Sequence, residues 1–416
     1  MERKKTVVFA AETFNLAEVT RMLEIAKVSQ RSFECVFTSY DAARRNHRHI
    51  ESAGFRIVEL QPPMTQEKVE RFWAVDHGEK LGEIISTADV RQRVRSEMAL
   101  YREVEAAAVV TGFCLSVPIS ARAAGVPLVW VNQTTWMAEY VARHATWPDA
   151  YDAPALRVIP DALKDRVTRL VTPVFATLLA RPFSRVAREL GLAPFRHLDL
   201  VWGDHNLIAE SPAFSGVALP DRLRDKSAFI GPLIARLDVP IPDAVVRLPK
   251  DRPIVYFAMG SSGAERVVLE ILRAFEGKPY RVIAPVAELA RDAGFVAPPN
   301  VVVTGWLPAD RVNPMARVSV IHGGIGTVMT ACLSGTPIVG IPNGLVEQEY
   351  NLDCIVRRGA GVRLRLRRFT AADVIAQVDR LCDDAAARAC VQDLRSELLA
   401  WDGPENAARY LESHFA

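Results

Sequence analysis

Short runs of apolar, mostly β-branched residues alternate along this chain with amphipathic stretches, and the alternation runs twice. Such a pattern builds βαβ units, in which parallel strands are covered by helices on both sheet faces. The first series places strands near residues 6–10, 33–37, 108–111, 128–131 and 207–209. Apolar residues at helical spacing over 16–28 supply the first crossover. Residues 140–190 read as mainly helical and proline-interrupted, covering one end of the sheet. The second series places strands at 254–257, 281–284, 301–304, 318–321 and 338–341, and the chain from Thr370 onward reads as helical.

Between the two series, Pro232, Pro240, Pro242, Pro249 and Pro253 break any periodicity. A chain of 416 residues is also longer than one hydrophobic core usually supports. These features predict an α/β protein of two doubly wound, Rossmann-like domains, at 1–232 and 253–395. A linker at 233–252 joins them, and helices over 396–416 are expected to pack back toward the first. Ligands of such sheets sit beyond the carboxyl ends of the strands, so a cleft between the domains is the expected site.

Composition narrows the function. A net charge of +2 gives no electrostatic footprint for nucleic acid. The six cysteines form no C-x-x-C pair and read as small buried hydrophobes of a reducing compartment. The apolar run after Lys5 ends at Glu12, too short for a secretory signal, and no charge-free apolar stretch is long enough to span a bilayer. The expected location is cytoplasmic. His47-Arg48-His49 reads as surface. The alternation in Arg363-Leu364-Arg365-Leu366-Arg367-Arg368 reads as a strand with one basic, solvated face.

The most informative stretch starts at the strand 318–321 and continues as His322-Gly323-Gly324-Ile325-Gly326-Thr327 into a helix. Glycines at a strand-to-helix turn let backbone approach a ligand closely. The unpaired amides and positive dipole end of the following helix suit a diphosphate. His322 offers a side-chain donor there, and Thr327 a hydroxyl. In the turn Gly305-Trp306-Leu307-Pro308, Trp306 offers a flat face for a nucleobase.

Residues 301–361 resemble the donor-binding region of the inverting, GT-B-fold glycosyltransferases of the UDP-glycosyltransferase superfamily, whose bacterial members include macrolide and natural-product enzymes. The resemblance implies that Trp306 stacks on the base and that His322, Gly323, Gly324, Gly326 and Thr327 hold the diphosphate. It implies that Ser261 lies near the diphosphate and that Glu347 and Gln348 contact the sugar, with Asn351 following them. It further implies transfer, with inversion and without metal or cofactor, from a UDP- or dTDP-sugar to a small-molecule acceptor such as a secondary metabolite. A homodimer is left open. Phe14, Trp73, Trp136 and Trp147 are acceptor-pocket candidates on size and loop context.

Three departures bear on mechanism. Ala309 stands where the family commonly has Gln. Thr330 stands where a ribose-holding Glu is common, a weakened grip that fits a deoxyribose donor such as a dTDP-sugar. Asn15 stands where the family has its catalytic His, and the strand that should deliver an orienting Asp ends Val110-Thr111-Gly112-Phe113. An amide takes no proton at neutral pH; Asn15 and Glu18 read instead as a helix capping box. Three alternatives follow. A carboxylate, Glu12 or Glu18, replaces the base; the acceptor is acidic enough to need none; or the chain is a catalytically inactive, donor-binding helper subunit. A sugar-nucleotide epimerase is a weaker further option.

Overall fold

The computed structural model describes residues 3–77, 79–196, 198–259, 265–366 and 368–416. The chain forms two compact units. One comprises Met1–Trp147, Ile159–Leu233 and Trp401–Ala416, the other Pro148–Val158 and Ile234–Ala400.

The first unit is built on β1 (Thr6–Ala10), β2 (Glu34–Asp41), β3 (Arg56–Met64), β4 (Ala106–Thr111), β5 (Leu128–Asn132), β6 (His205–Ile208) and β7 (Ser227–Phe229). All pair in parallel, in the order β3-β2-β1-β4-β5-β6-β7. Alternate side chains enter opposite cores: Val8, Val109 and Trp130 face one, Val7, Phe9, Val110 and Val129 the other. Burial on both faces explains why these strands read as unbroken apolar runs. Strand order reverses at β1, the switch point at which doubly wound sheets open a crevice. The sequence pattern passed over β3 because it carries Pro62 and Pro63. At a sheet edge, proline's missing donor costs no ladder bond.

The C-terminal helix Gly403–Phe415 lies on the helix Leu16–Ser29. Ala407, Leu411 and Phe415 join the core beneath it. Arg31 reaches Glu405 and Glu412 at 2.8 and 2.7 Å. Solvent screens exposed pairs of this kind, so apolar burial is the main attachment.

The second unit contains β8 (Ile254–Ala258), β9 (Arg281–Ala284), β10 (Val301–Val303), β11 (Val318–Ile321), β12 (Ile338–Gly340) and β13 (Gly361–Arg363). They are again all parallel, in the order β10-β9-β8-β11-β12-β13. The expected continuous stretch 1–232 is interrupted, because Pro148–Val158 packs with this second unit. Buried charge explains it. Arg363 meets Asp149 and Glu349 at 2.8 Å each and Asp353 at 2.7 Å. The Asp149 amide donates to Glu349, and its carboxylate accepts from Leu366 N at 2.9 Å. Three carboxylates around one guanidinium leave an excess of negative charge. Burial drives the Glu349 carboxyl upward to about 8, Arg363 opposing and Asp149 reinforcing the shift. The basic, solvated strand expected at 363–368 is thereby corrected: β13 ends at Arg363, whose side chain is buried and ion-paired. Among the described residues no helix is long and apolar enough to cross a membrane.

Candidate active site

In the second unit, the glycine turn joins β11 to the helix Ile325–Ser334 at the sheet's carboxyl edge. Gly323 has φ +95°, and a Cβ there would lie 2.7 Å from the Gln348 carbonyl and 2.8 Å from Leu352. The turn can therefore lie against the helix Val346–Arg357 only if residue 323 has no side chain. Gly324 caps the Ile325–Ser334 helix without a side-chain acceptor, and a Cβ on Gly326 would meet nothing within 4 Å. The first-turn amides of this helix have no intrahelical partner. Thr327 is differently employed than expected, since its hydroxyl donates to the Gly324 carbonyl at 2.8 Å and closes the turn.

His322 is half-buried. Its Nδ1 lies 3.4 Å from the Ala258 carbonyl, so that nitrogen carries the proton and Nε2 has the lone pair. Burial pushes the imidazole below its usual range, with the Ala258 carbonyl opposing. The neutral ring can accept at Nε2 but donates to a phosphate only after taking up a proton.

Asn351, fully buried, ties the site together. Its Nδ2 donates to the Gly323 carbonyl at 3.1 Å and to Glu347 at 3.3 Å. Gln348 is buried, with Oε1 accepting from Asn343 N at 2.7 Å, and Asn343 reaches the Met259 carbonyl at the end of β8. The structure thus gathers His322–Thr327, Glu347, Gln348 and Asn351 around the ends of β8 and β11. Ser261 lies outside the described residues. Trp306 follows β10 on the same carboxyl edge, 51 % exposed, so a place in the core is excluded and its face is open.

At the switch point of the first unit, Asn15 and the two candidate bases, Glu12 and Glu18, are all engaged. Asn15 Oδ1 accepts from Ala17 N at 3.0 Å and caps the Leu16–Ser29 helix. Glu12 is buried and paired with both terminal nitrogens of Arg93, itself fully buried. Removing the Glu12 side chain would strand that guanidinium, a loss of about 3–5 kcal/mol for a broken buried pair. Glu18 is buried against Arg21 at 2.8 Å. Its Oε2 also lies 2.3 Å from where a Cβ on Gly112 would stand. A carboxylate therefore does occupy the space beside the end of β4, supplied from the first helix rather than from the strand.

The sequence reading missed the groups around these residues. Arg93 lies over the Tyr40 ring at 3.9 Å, and Glu97 accepts from Tyr40 and Ser116 at 2.6 Å each. Burial raises the Glu97 carboxyl, its hydrogen bonds opposing. Arg93 and Glu97 interrupt the buried stripe Val90, Val94, Leu100 and Tyr101 on one helix, a signal the sequence did carry. His47 is also buried and not on the surface as expected, because its Nε2 binds Ser39 at 2.7 Å, which in turn binds Thr13 at 2.5 Å. Of the acceptor-pocket candidates, Phe14 and Trp73 meet edge to face at 5.8 Å. Trp136 stands after β5, and Trp147 donates its backbone N–H to Asp165.

Comparison with known proteins gives this geometry a context. Residues 269–413 match the family model of the erythromycin biosynthesis protein CIII-like C-terminal domain. A Mycobacterium tuberculosis protein named PGL/p-HBAD biosynthesis glycosyltransferase is 27% identical over 401 residues, 94% of this chain and 88% of its own. A Mycobacterium bovis PGL/p-HBAD biosynthesis rhamnosyltransferase is 28% identical over 385 residues, 90% of this chain and 80% of its own. Among solved structures, the glycosyltransferase VinC in complex with dTDP superposes with a TM-score of 0.70 at 19% identity, covering 98% of this chain and 99% of its own. The resemblance drawn from Trp306, the glycine turn and Glu347-Gln348 is borne out, as are the GT-B α/β fold and the expectation of a transferase.

Proposed function

On the premise that the chain is a transferase of the GT-B glycosyltransferase type, we propose that it moves a sugar from a dTDP- or UDP-sugar to a small-molecule acceptor, with inversion and without metal. The observation that carries this reading is the turn at 322–327. Glycine is obligatory at 323, a side chain at 326 would meet nothing within 4 Å, and the first-turn amides have no intrahelical partner. A departing diphosphate gains most from donors fixed in place before it forms. The amides, the helix dipole and a protonated His322 supply them. Trp306 would stack on the base, and Glu347 and Gln348 would hold sugar hydroxyls. The dTDP complex of VinC supports a deoxyribose donor, as does Thr330 at the ribose position.

On the acceptor side, the commitments of Asn15, Glu12 and Glu18 favour an acceptor hydroxyl acidic enough to lose its proton without a strong base. Phenols meet that condition and simple alcohols do not. The same commitments favour, as second reading, a donor-binding helper that transfers nothing.

The test is an assay of purified chain with dTDP- and UDP-sugars, each against a phenol and an alkanol, with and without chelator. Glycosylation of the phenol alone, unaffected by chelator and with inverted anomeric configuration by NMR, is expected. Saturable nucleotide binding with no transfer to any acceptor would overturn the enzymatic reading in favour of the helper. Absence of nucleotide binding would overturn both.

A further inference from the structure

The helix Asp161–Leu179 of the first unit is inside out. Lys164 and Thr168 are its buried residues. Lys164 is paired with Asp161 at 2.7 Å, Arg169 donates to the Ala145 carbonyl at 3.1 Å, and Asp165 accepts from Trp147 N. A separate stripe of the helix is apolar and open. Leu163, Val167, Leu170, Val174 and Leu178, at helical spacing, are 41 to 70 % exposed. Soluble helices bury such a stripe, and a contiguous apolar patch of this length marks a surface with a partner.

The charge beside the stripe says which partner. The next helix, Arg181–Glu189, exposes Arg181, Arg185 and Arg188 in one row. These three arginines and Leu178 of the stripe line one cavity of about 320 Å³, together with Phe195. The two helices carry six basic residues against three acidic ones, in a chain whose net charge is only +2. Two of those acids are already paired, Asp161 with Lys164 and Glu189 with Arg91 at 2.6 Å. A second copy docked on this face would bring two cationic surfaces together. A layer with an apolar interior and an anionic surface matches both features.

We propose that the Asp161–Leu179 helix lies in the surface of an anionic phospholipid bilayer, its apolar stripe among the acyl chains and the arginine row on the headgroup phosphates. The chain then works at a membrane surface without spanning it.

Cosedimentation of the full chain with vesicles of phosphatidylcholine, and of phosphatidylcholine with phosphatidylglycerol, tests this. Binding to the anionic vesicles, weakened by salt, is expected. Leu170→Glu combined with Val174→Glu should lower partition at least about tenfold. Arg181→Glu combined with Arg188→Glu should lower it by at least roughly fivefold for each arginine. Both variants alter exposed positions, so thermal unfolding and dTDP binding should match wild type. No vesicle binding by wild type overturns the proposal, as does equal binding to neutral vesicles, or binding that survives both double substitutions. A wild-type dimer by light scattering that the Leu170/Val174 variant makes monomeric also overturns it, in favour of a second copy as occupant.

Discussion

Gly323 and Gly326 stand three residues apart in one turn, yet alanine at each should fail in a different way. At Gly323, φ +95° puts an L side chain in the left-handed region, at a cost of about 1–2 kcal/mol. The new methyl would also meet the Gln348 backbone carbonyl at 2.7 Å and Leu352 at 2.8 Å. The carbonyl cannot swing aside, so overpacking adds about 1–3 kcal/mol. Gly323→Ala should therefore destabilise the second unit by roughly 2–5 kcal/mol, a large part of the about 5–15 kcal/mol that holds a typical domain. At Gly326 the methyl meets nothing within 4 Å and sits in the first turn of a helix, where alanine gains at most about 0.5–1 kcal/mol over glycine. Gly326→Ala should thus fold at least as well as wild type. Its methyl, however, would stand where the proposed function has backbone approach the diphosphate. Losing one charge-assisted hydrogen bond costs about 1.5–3 kcal/mol, or about 10- to 150-fold in Kd. Urea unfolding followed by tryptophan fluorescence reads the first effect, and calorimetric titration with dTDP and UDP the second. Wild-type affinity in Gly326→Ala would show that no phosphate meets this turn. Wild-type stability in Gly323→Ala would show that the contact with the Val346–Arg357 helix is not close.

Three further outcomes follow from single residues. Trp306→Ala, at an exposed position, should change stability by less than about 0.5 kcal/mol; it should weaken dTDP binding by the about 1–3 kcal/mol of a stacked base while leaving pyrophosphate affinity unchanged, as parallel titrations would show. Burial holds His322 neutral in the free chain and a bound diphosphate draws its proton back, so dTDP binding should take up protons and weaken as pH rises through the bound-state pKa; titrations in buffers of different ionisation enthalpy should show more uptake than in His322→Gln, and equal uptake would refute the assignment. Burial pushes the Glu210 carboxyl to about 7, with the hydroxyl of Thr134 opposing, so the folded chain holds this proton more tightly than the unfolded one. That stability is fully present below about pH 4.5 and is lost as pH rises through 7. Glu210→Gln should flatten this fall and gain up to about 3 kcal/mol at pH 8 in urea titrations.

The proposed donor half of the candidate site was legible as a local pattern, because its demands lie close together in sequence. A strand, three glycines and a helix start lie within ten residues, and sequence displays all of them together. Trp306 was legible for a similar reason, being a large aromatic in a short turn with no helical or strand period to bury it. The strands were legible where both faces are buried and at the β10 edge, a run of three valines, but were missed or misplaced at β3, which carries prolines, and at the short edges β7 and β13.

The acceptor side was not legible, because its groups are defined by partners that arrive from far along the chain. Glu12 could pass for a free loop carboxylate until Arg93, 81 residues later, is seen to hold it. His47 could pass for a surface residue until Ser39 and Thr13 are found beneath it. Pro148–Val158 could pass for part of the first domain until Arg363, Leu366 and Arg368 are seen to fasten it to the second unit. In each case a polar residue was assigned by its neighbours in sequence, whereas its state is set by a buried charge or hydroxyl met only in three dimensions. A base for the acceptor, if one acts, is subject to the same rule. The carboxylate beside the end of β4 is Glu18 of the first helix and not a residue of that strand, so alignment to the family pattern alone would have reported the position as empty.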